Sequence, residues 1–104
     1  MQFLVEHEIT LPPDDGSEAR ADLVRRERAR AAEIVGNGHI RHVWIVPGRR
    51  ARISVWEAQD AAHLHALMSS LPASYWSDAR VRPLVERPID DLVTTAGWGT
   101  EAPQ

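Results

Sequence analysis

Glu27 is the residue whose position packing alone explains least. A helix from about Ser17 to Val35, wound at 100° per residue, sets Leu23, Val24, Ala31 and Ile34 on one stripe with Glu27 in its middle. Asp22, Arg25, Arg26, Ala29 and Glu33 point the other way. A carboxylate facing a core must find a partner or keep its proton, because desolvation disfavours its charged form. Either state suits a group that moves protons near neutrality. The competing readings are an internal ion pair with Arg20 or a hairpin arginine, or a helix rotated far enough for Glu27 to reach water.

A second concentration of chemistry is Arg41-His42-Val43-Trp44, in a segment that runs through Pro47-Gly48 to Ser54-Val55-Trp56. Arginine, histidine and two tryptophans stand there among β-branched residues, where plain strand packing favours Val or Ile. Arg41 shares a strand face with Val43 and Ile45, His42 with Trp44 and Val46, so only one of the two is expected to face the helices. His65 borders the apolar stripe Ala61, Leu64, Met68, Leu71 of a second helix. The remaining histidines, His7, His39 and His63, lack ligand spacing, so no metal site is expected. Ser54 has no GxSxG context for a serine hydrolase.

The elements that must position these groups follow from the pattern. Phe3, Val5, His7, Ile9 and Leu11 alternate with Leu4, Glu6, Glu8 and Thr10, a strand period ended by Pro12-Pro13. Asp14, Asp15 and Ser17 offer N-cap oxygens to the first helix, and Gly36-Asn37-Gly38 closes it. Pro47 and Gly48 suit a type II turn between two strands. Gln59 or Asp60 opens a second helix that Leu71-Pro72 ends. A loop with Tyr75 and Trp76 leads to a last strand near Arg80 to Glu86, where Pro83 requires an edge or a bulge. The order β-α-β-β-α-β predicts a ferredoxin-like α+β fold, a four-stranded antiparallel sheet with two helices on one face. Its other face, with Trp44, Trp56 and Val46, is expected to be covered by a second subunit. Residues 1–88 form the domain; residues 89–104, with Gly97-Trp98-Gly99, read as an extension that packs on a neighbour.

Composition narrows the function. The 104 residues carry no cysteine, which removes disulfides and thiolate chemistry, and all 12 basic residues are arginine. Without lysine there is no Schiff base; arginine anchors carboxylates or steadies oxyanions. A net charge of −3 argues against a nucleic-acid partner, and Arg25, Arg26, Arg28 and Arg30 read as a solvated helix face. No apolar run approaches the roughly 20 residues of a membrane span. An early Glu6 without a basic leader makes the cytoplasm the expected location.

The ordered set Leu11-Pro12, Leu23, Glu27, Gly38, Arg41-His42-x-Trp44, Gly48, Ala51, Ser54-Val55, Leu64-His65, Leu71-Pro72, Asp78, Val81, Leu84 and Pro88 resembles the muconolactone Δ-isomerases. The resemblance covers about residues 1–88. It implies a homo-oligomer, typically a decamer, that works in aromatic catabolism by the β-ketoadipate route without cofactor or metal. The reaction it implies moves a ring double bond in an unsaturated lactone that bears a carboxymethyl arm, through a dienolate. Glu27 then carries the proton, Arg41 anchors the carboxylate or meets the oxyanion, and His42 or His65 donates or orients. Trp44, Ser54, Tyr75 and Trp76 are expected around the pocket. Family members commonly carry lysine at the position of Val24, and their loop after Leu71-Pro72 differs. A lactone dehalogenase, a biosynthetic cyclase and a non-catalytic binding or assembly module therefore stand as alternatives.

Overall fold

The computed structural model describes residues 1–90. Along them run β1 (Gln2–Ile9), α1 (Glu18–Gly36), β2 (Ile40–Ile45), β3 (Ala51–Glu57), α2 (Ala61–Ser69), a 3-10 helix (Pro72–Trp76) and β4 (Ser77–Leu84). The sheet order is β2-β3-β1-β4, and each neighbouring pair is antiparallel. This is the expected ferredoxin-like arrangement. Pro83 lies on an edge strand, where its missing N–H leaves no ladder bond unmade. The segment expected to be a loop at Tyr75 and Trp76 is the 3-10 helix, started by Pro72, and β4 begins three residues earlier than expected.

Local chemistry sets the ends. Ser17 Oγ accepts from Arg20 N at 3.2 Å and Asp60 accepts from His63 N at 2.8 Å, so each helix starts on a side-chain cap. At the end of α1, Gly38 takes φ 80°, Gly38 N bonds Val35 O at 3.0 Å, and His39 N bonds Ile34 O at 3.1 Å. That pair of bonds is the Schellman closure. Between β2 and β3, Gly48 has φ 77° and Arg49 N reaches Val46 O at 3.2 Å, as a type II turn requires.

One sheet face packs on the helices. Phe3, Val5, Ile34, Trp56, Ala58 and Leu64 form the buried core. Each large apolar side chain sunk there contributes roughly 1.5–3 kcal/mol. Strand pairing places Phe3 opposite Trp56, Val5 opposite Ser54 and His7 opposite Arg52 on this same face. The expectation that Trp56 lies on the open face is therefore corrected: it is only 3% exposed, in the core. Trp44 does lie on the open face; it pairs with Ile53 and stacks on His42 at 5.6 Å between ring centres. Val46 follows the end of β2, its N–H bonded to Ala51 O. The extension segment with Gly97-Trp98-Gly99 falls outside the described residues.

Candidate active site

Between the covered sheet face and the helices lies a cavity of about 560 Å³. That is within the roughly 300–1,000 Å³ usual for small-molecule sites. Most of its wall is apolar, from Ile9, Ala31, Val43, Leu64, Met68 and Ala79 among others. Into it come Glu27 from α1, His7 from β1, Arg52, Ser54 and Trp56 from β3, and His65 from α2.

Glu27 is half-buried, and the N–H of Ala73 in the 3-10 helix donates to its Oε1 at 2.8 Å. Among the described residues Glu27 makes no ion pair. The expected rival, Arg20, turns instead to Pro12 O at 3.3 Å and to Asp14 at 3.9 Å. One carboxylate oxygen is thus fixed by backbone, and the other has no hydrogen-bond partner among the described residues. A base held this way keeps its orientation without being neutralised by a cation.

His7 and Arg52 face each other across β1 and β3. Burial, and secondarily the Arg52 guanidinium, push the His7 imidazole below its ordinary value of 6.5, so His7 is neutral at neutral pH. It can then donate one ring N–H and accept at the other nitrogen. Arg52 forms no ion pair among the described residues, which leaves a permanent cation on the cavity wall.

Ser54 is 1% exposed; its Oγ accepts from Trp56 Nε1 at 2.8 Å and lies 3.5 Å from Val5 O. Those bonds hold the indole in place and leave the hydroxyl as wall. His65 is exposed at the rim, with Nε2 at 3.4 Å from Ser69 Oγ. Among the described residues no group of three or more acidic, histidine or cysteine side chains is gathered to hold a metal.

The structure brings together Glu27, His65 and Ser54 of the residues singled out from sequence. Arg41, His42, Trp44, Tyr75 and Trp76 do not line the cavity. A bulge between Ile40 and His42 is the reason for the first three: it resets the alternation of β2, so Ile40 and Val43 face the helices and neither Arg41 nor His42 does. Arg41 instead lies near Glu57, whose carboxyl is held low first by the Met1 ammonium and then by Arg41 and His39. Tyr75 is 86% exposed and packs edge-on against Trp76 at 5.1 Å. His7 and Arg52 were missed as site residues, and Trp56 was assigned to the opposite sheet face. Their signal was the two-residue period itself, which sets His7 with Phe3 and Val5, and Arg52 with Ser54 and Trp56.

The chain matches the family model described as muconolactone delta-isomerase over residues 1–90. It is 39% identical over 84 residues to muconolactone Delta-isomerase 2 of Acinetobacter lwoffii, covering 81% of this chain and 88% of that protein. It is 30% identical over 88 residues to the muconolactone Delta-isomerase of Cupriavidus pinatubonensis, covering 85% and 96%. Its fold superposes on a crystal structure of muconolactone isomerase with a TM-score of 0.73 and 28% identity, covering 85% and 92% of the two chains. A dehydrochlorinase from Burkholderia phenoliruptrix, at 13% identity and a TM-score of 0.58, shares the fold alone. With the family model spanning residues 1–90 and the Acinetobacter lwoffii relative at 39% identity, the chain belongs to the muconolactone Δ-isomerase family.

Proposed function

We propose that this protein is an isomerase that moves a ring double bond in an unsaturated, muconolactone-like lactone within aromatic catabolism. The observation that carries the reading is Glu27: a carboxylate oriented by one backbone bond, free of any ion pair among the described residues, on the wall of an apolar cavity. Its carboxylate takes a proton from a ring carbon, which sends negative charge through the conjugated system to the lactone carbonyl oxygen. The protonated Glu27 then returns the proton at another carbon, and the double bond has moved with no net redox change. The dienolate needs a positive or donating partner at its oxygen. Arg52 and the neutral His7 fill that role from the wall of the cavity that Glu27 shares. His65, at the rim, orients the ligand.

Arg52 also answers for Val24. At that position the family resemblance implies a lysine, and Val24 and Arg52 line one common cavity, so Arg52 of β3 supplies a cation that Val24 cannot. The cavity beside Glu27 counts against a scaffold that has lost its chemistry. The proposal includes a homo-oligomer built through the open sheet face, where Trp44 remains 52% exposed. A ring of ten is what the resemblance implies. No helix among the described residues is long and apolar enough to cross a membrane, and the proposed workplace is the cytoplasm. In this reading residues 1–88 form the catalytic domain and the remainder an extension that packs on a neighbour.

The test is turnover of muconolactone by the purified chain, followed by proton NMR. A turnover number of at least about 1 per second is expected, as for ordinary enzymes. Absence of turnover would overturn the reading and favour the dehalogenase or cyclase alternatives.

A further inference from the structure

A second cavity, of about 620 Å³, adjoins the first. The two share His7, Ile9, Glu27, Arg52 and Ala73, so Glu27 stands at their junction. Their linings differ in kind. The first has one arginine; the second has five, Arg20, Arg28, Arg49, Arg50 and Arg52, against the two acids Asp14 and Glu27. Five of the chain's 12 arginines thus gather on one concave wall of a protein whose net charge is −3.

The arginines divide by what they already hold. Arg20 is engaged by Pro12 O and Asp14, and Arg49 pairs with Glu8. Arg28, Arg50 and Arg52 form no ion pair among the described residues. Like charges gathered with no partner repel one another, and a bound anion relieves that repulsion. A guanidinium fork matches a carboxylate with two parallel hydrogen bonds.

We propose that this second cavity is an anion subsite that receives the carboxylate arm of the substrate, held by Arg28 and Arg50, while the lactone ring occupies the apolar cavity beside Glu27. The inference rests on the isomerase reading and deepens it: it assigns Arg28 and Arg50 as the residues that hold the substrate's arm and sets the direction in which the ligand lies. A lactone anchored at its arm has its ring held across the junction where Glu27 and Arg52 meet it.

The test measures calorimetric binding of a saturated five-membered lactone with a carboxymethyl arm, and of its methyl ester, to the full chain and to an R28Q/R50Q double variant. Both arginines are exposed and, among the described residues, without ion pairs, so their loss strands no buried partner there. The acid is expected to bind the variant roughly ten- to a hundredfold more weakly, as for loss of charged hydrogen bonds. The ester is expected to bind both proteins alike, and acid binding to the unaltered chain is expected to weaken with added salt. Unchanged acid affinity in the variant, equal losses for acid and ester, or salt-independent acid binding would overturn the subsite. A change in sedimentation of the variant would also overturn it, by assigning these arginines to a contact between copies. If the acid binds through Arg28 and Arg50 but muconolactone is not turned over, the isomerase reading fails and the subsite stands. Turnover with unchanged acid affinity in the variant is the reverse case.

Discussion

Replacing Glu27 by aspartate keeps the carboxylate and its charge but shortens the side chain by one methylene, about 1.5 Å. The present bond from Ala73 N to Oε1 is 2.8 Å long, and Ala73 is 2% exposed. The shortened acid falls outside hydrogen-bond reach of that N–H. Losing a hydrogen bond to a charged group costs about 1.5–3 kcal/mol. For a domain of this size each kcal/mol lowers Tm by roughly 4–8 °C. The same change withdraws the base from its position by about the length of a bond, and a misplacement near 1 Å costs on the order of 100-fold in rate. Thermal unfolding by circular dichroism and steady-state turnover of muconolactone, measured on one preparation, therefore both report a loss. Wild-type kcat together with wild-type Tm in Glu27→Asp would refute the claim that the Ala73 backbone holds this carboxylate in place.

Ser54→Ala removes the acceptor of the buried Trp56 N–H and is expected to cost about 1–3 kcal/mol in denaturant unfolding while leaving kcat within a few-fold. Abolished turnover at unchanged stability would instead make the hydroxyl a chemical participant. His7 gives a pH signature with a definite sign. Its imidazole is pushed down in the folded state, so the unfolded chain binds this proton first; stability is full above about pH 6.5 and falls on acidification through the window below it. His7→Gln should lose that part of the slope in urea unfolding series, and identical slopes in the two proteins would contradict the assignment. Arg52→Gln is expected to lower kcat/KM by about 10²–10³, the usual loss for one oxyanion partner. Adding Val24→Lys to it should recover part of the loss, and an unaffected Arg52→Gln would remove the guanidinium from the reaction.

Short-range patterns were read correctly from sequence because their causes are local. The alternation of β1, the Gly38 closure and the Pro47-Gly48 turn depend on dihedral preferences within a few residues. The helical stripe that singled out Glu27 is local too. Which strand face carries the arginine was not legible in the same way. One extra residue at Arg41 in β2 resets the parity of every side chain up to the turn, and that residue is unpaired only because of register with β3. The hairpin offers Arg52 instead of Arg41, because the regular register of β3 on β1 sets Arg52 opposite His7. Trp56 shows the same limit: as an aromatic in a strand it suited either face, and pairing with Phe3 placed it in the core.

Glu27→Gln is the most direct measurement of the central claim. The amide oxygen of glutamine can still accept from Ala73 N, so the fold and the cavity are kept, while the group that takes the proton is gone. Muconolactone turnover is expected to fall by about 10²–10⁴, the usual share of a general base, with Tm changed by only a few degrees. A Glu27→Gln protein that isomerises muconolactone at the wild-type rate would contradict the account.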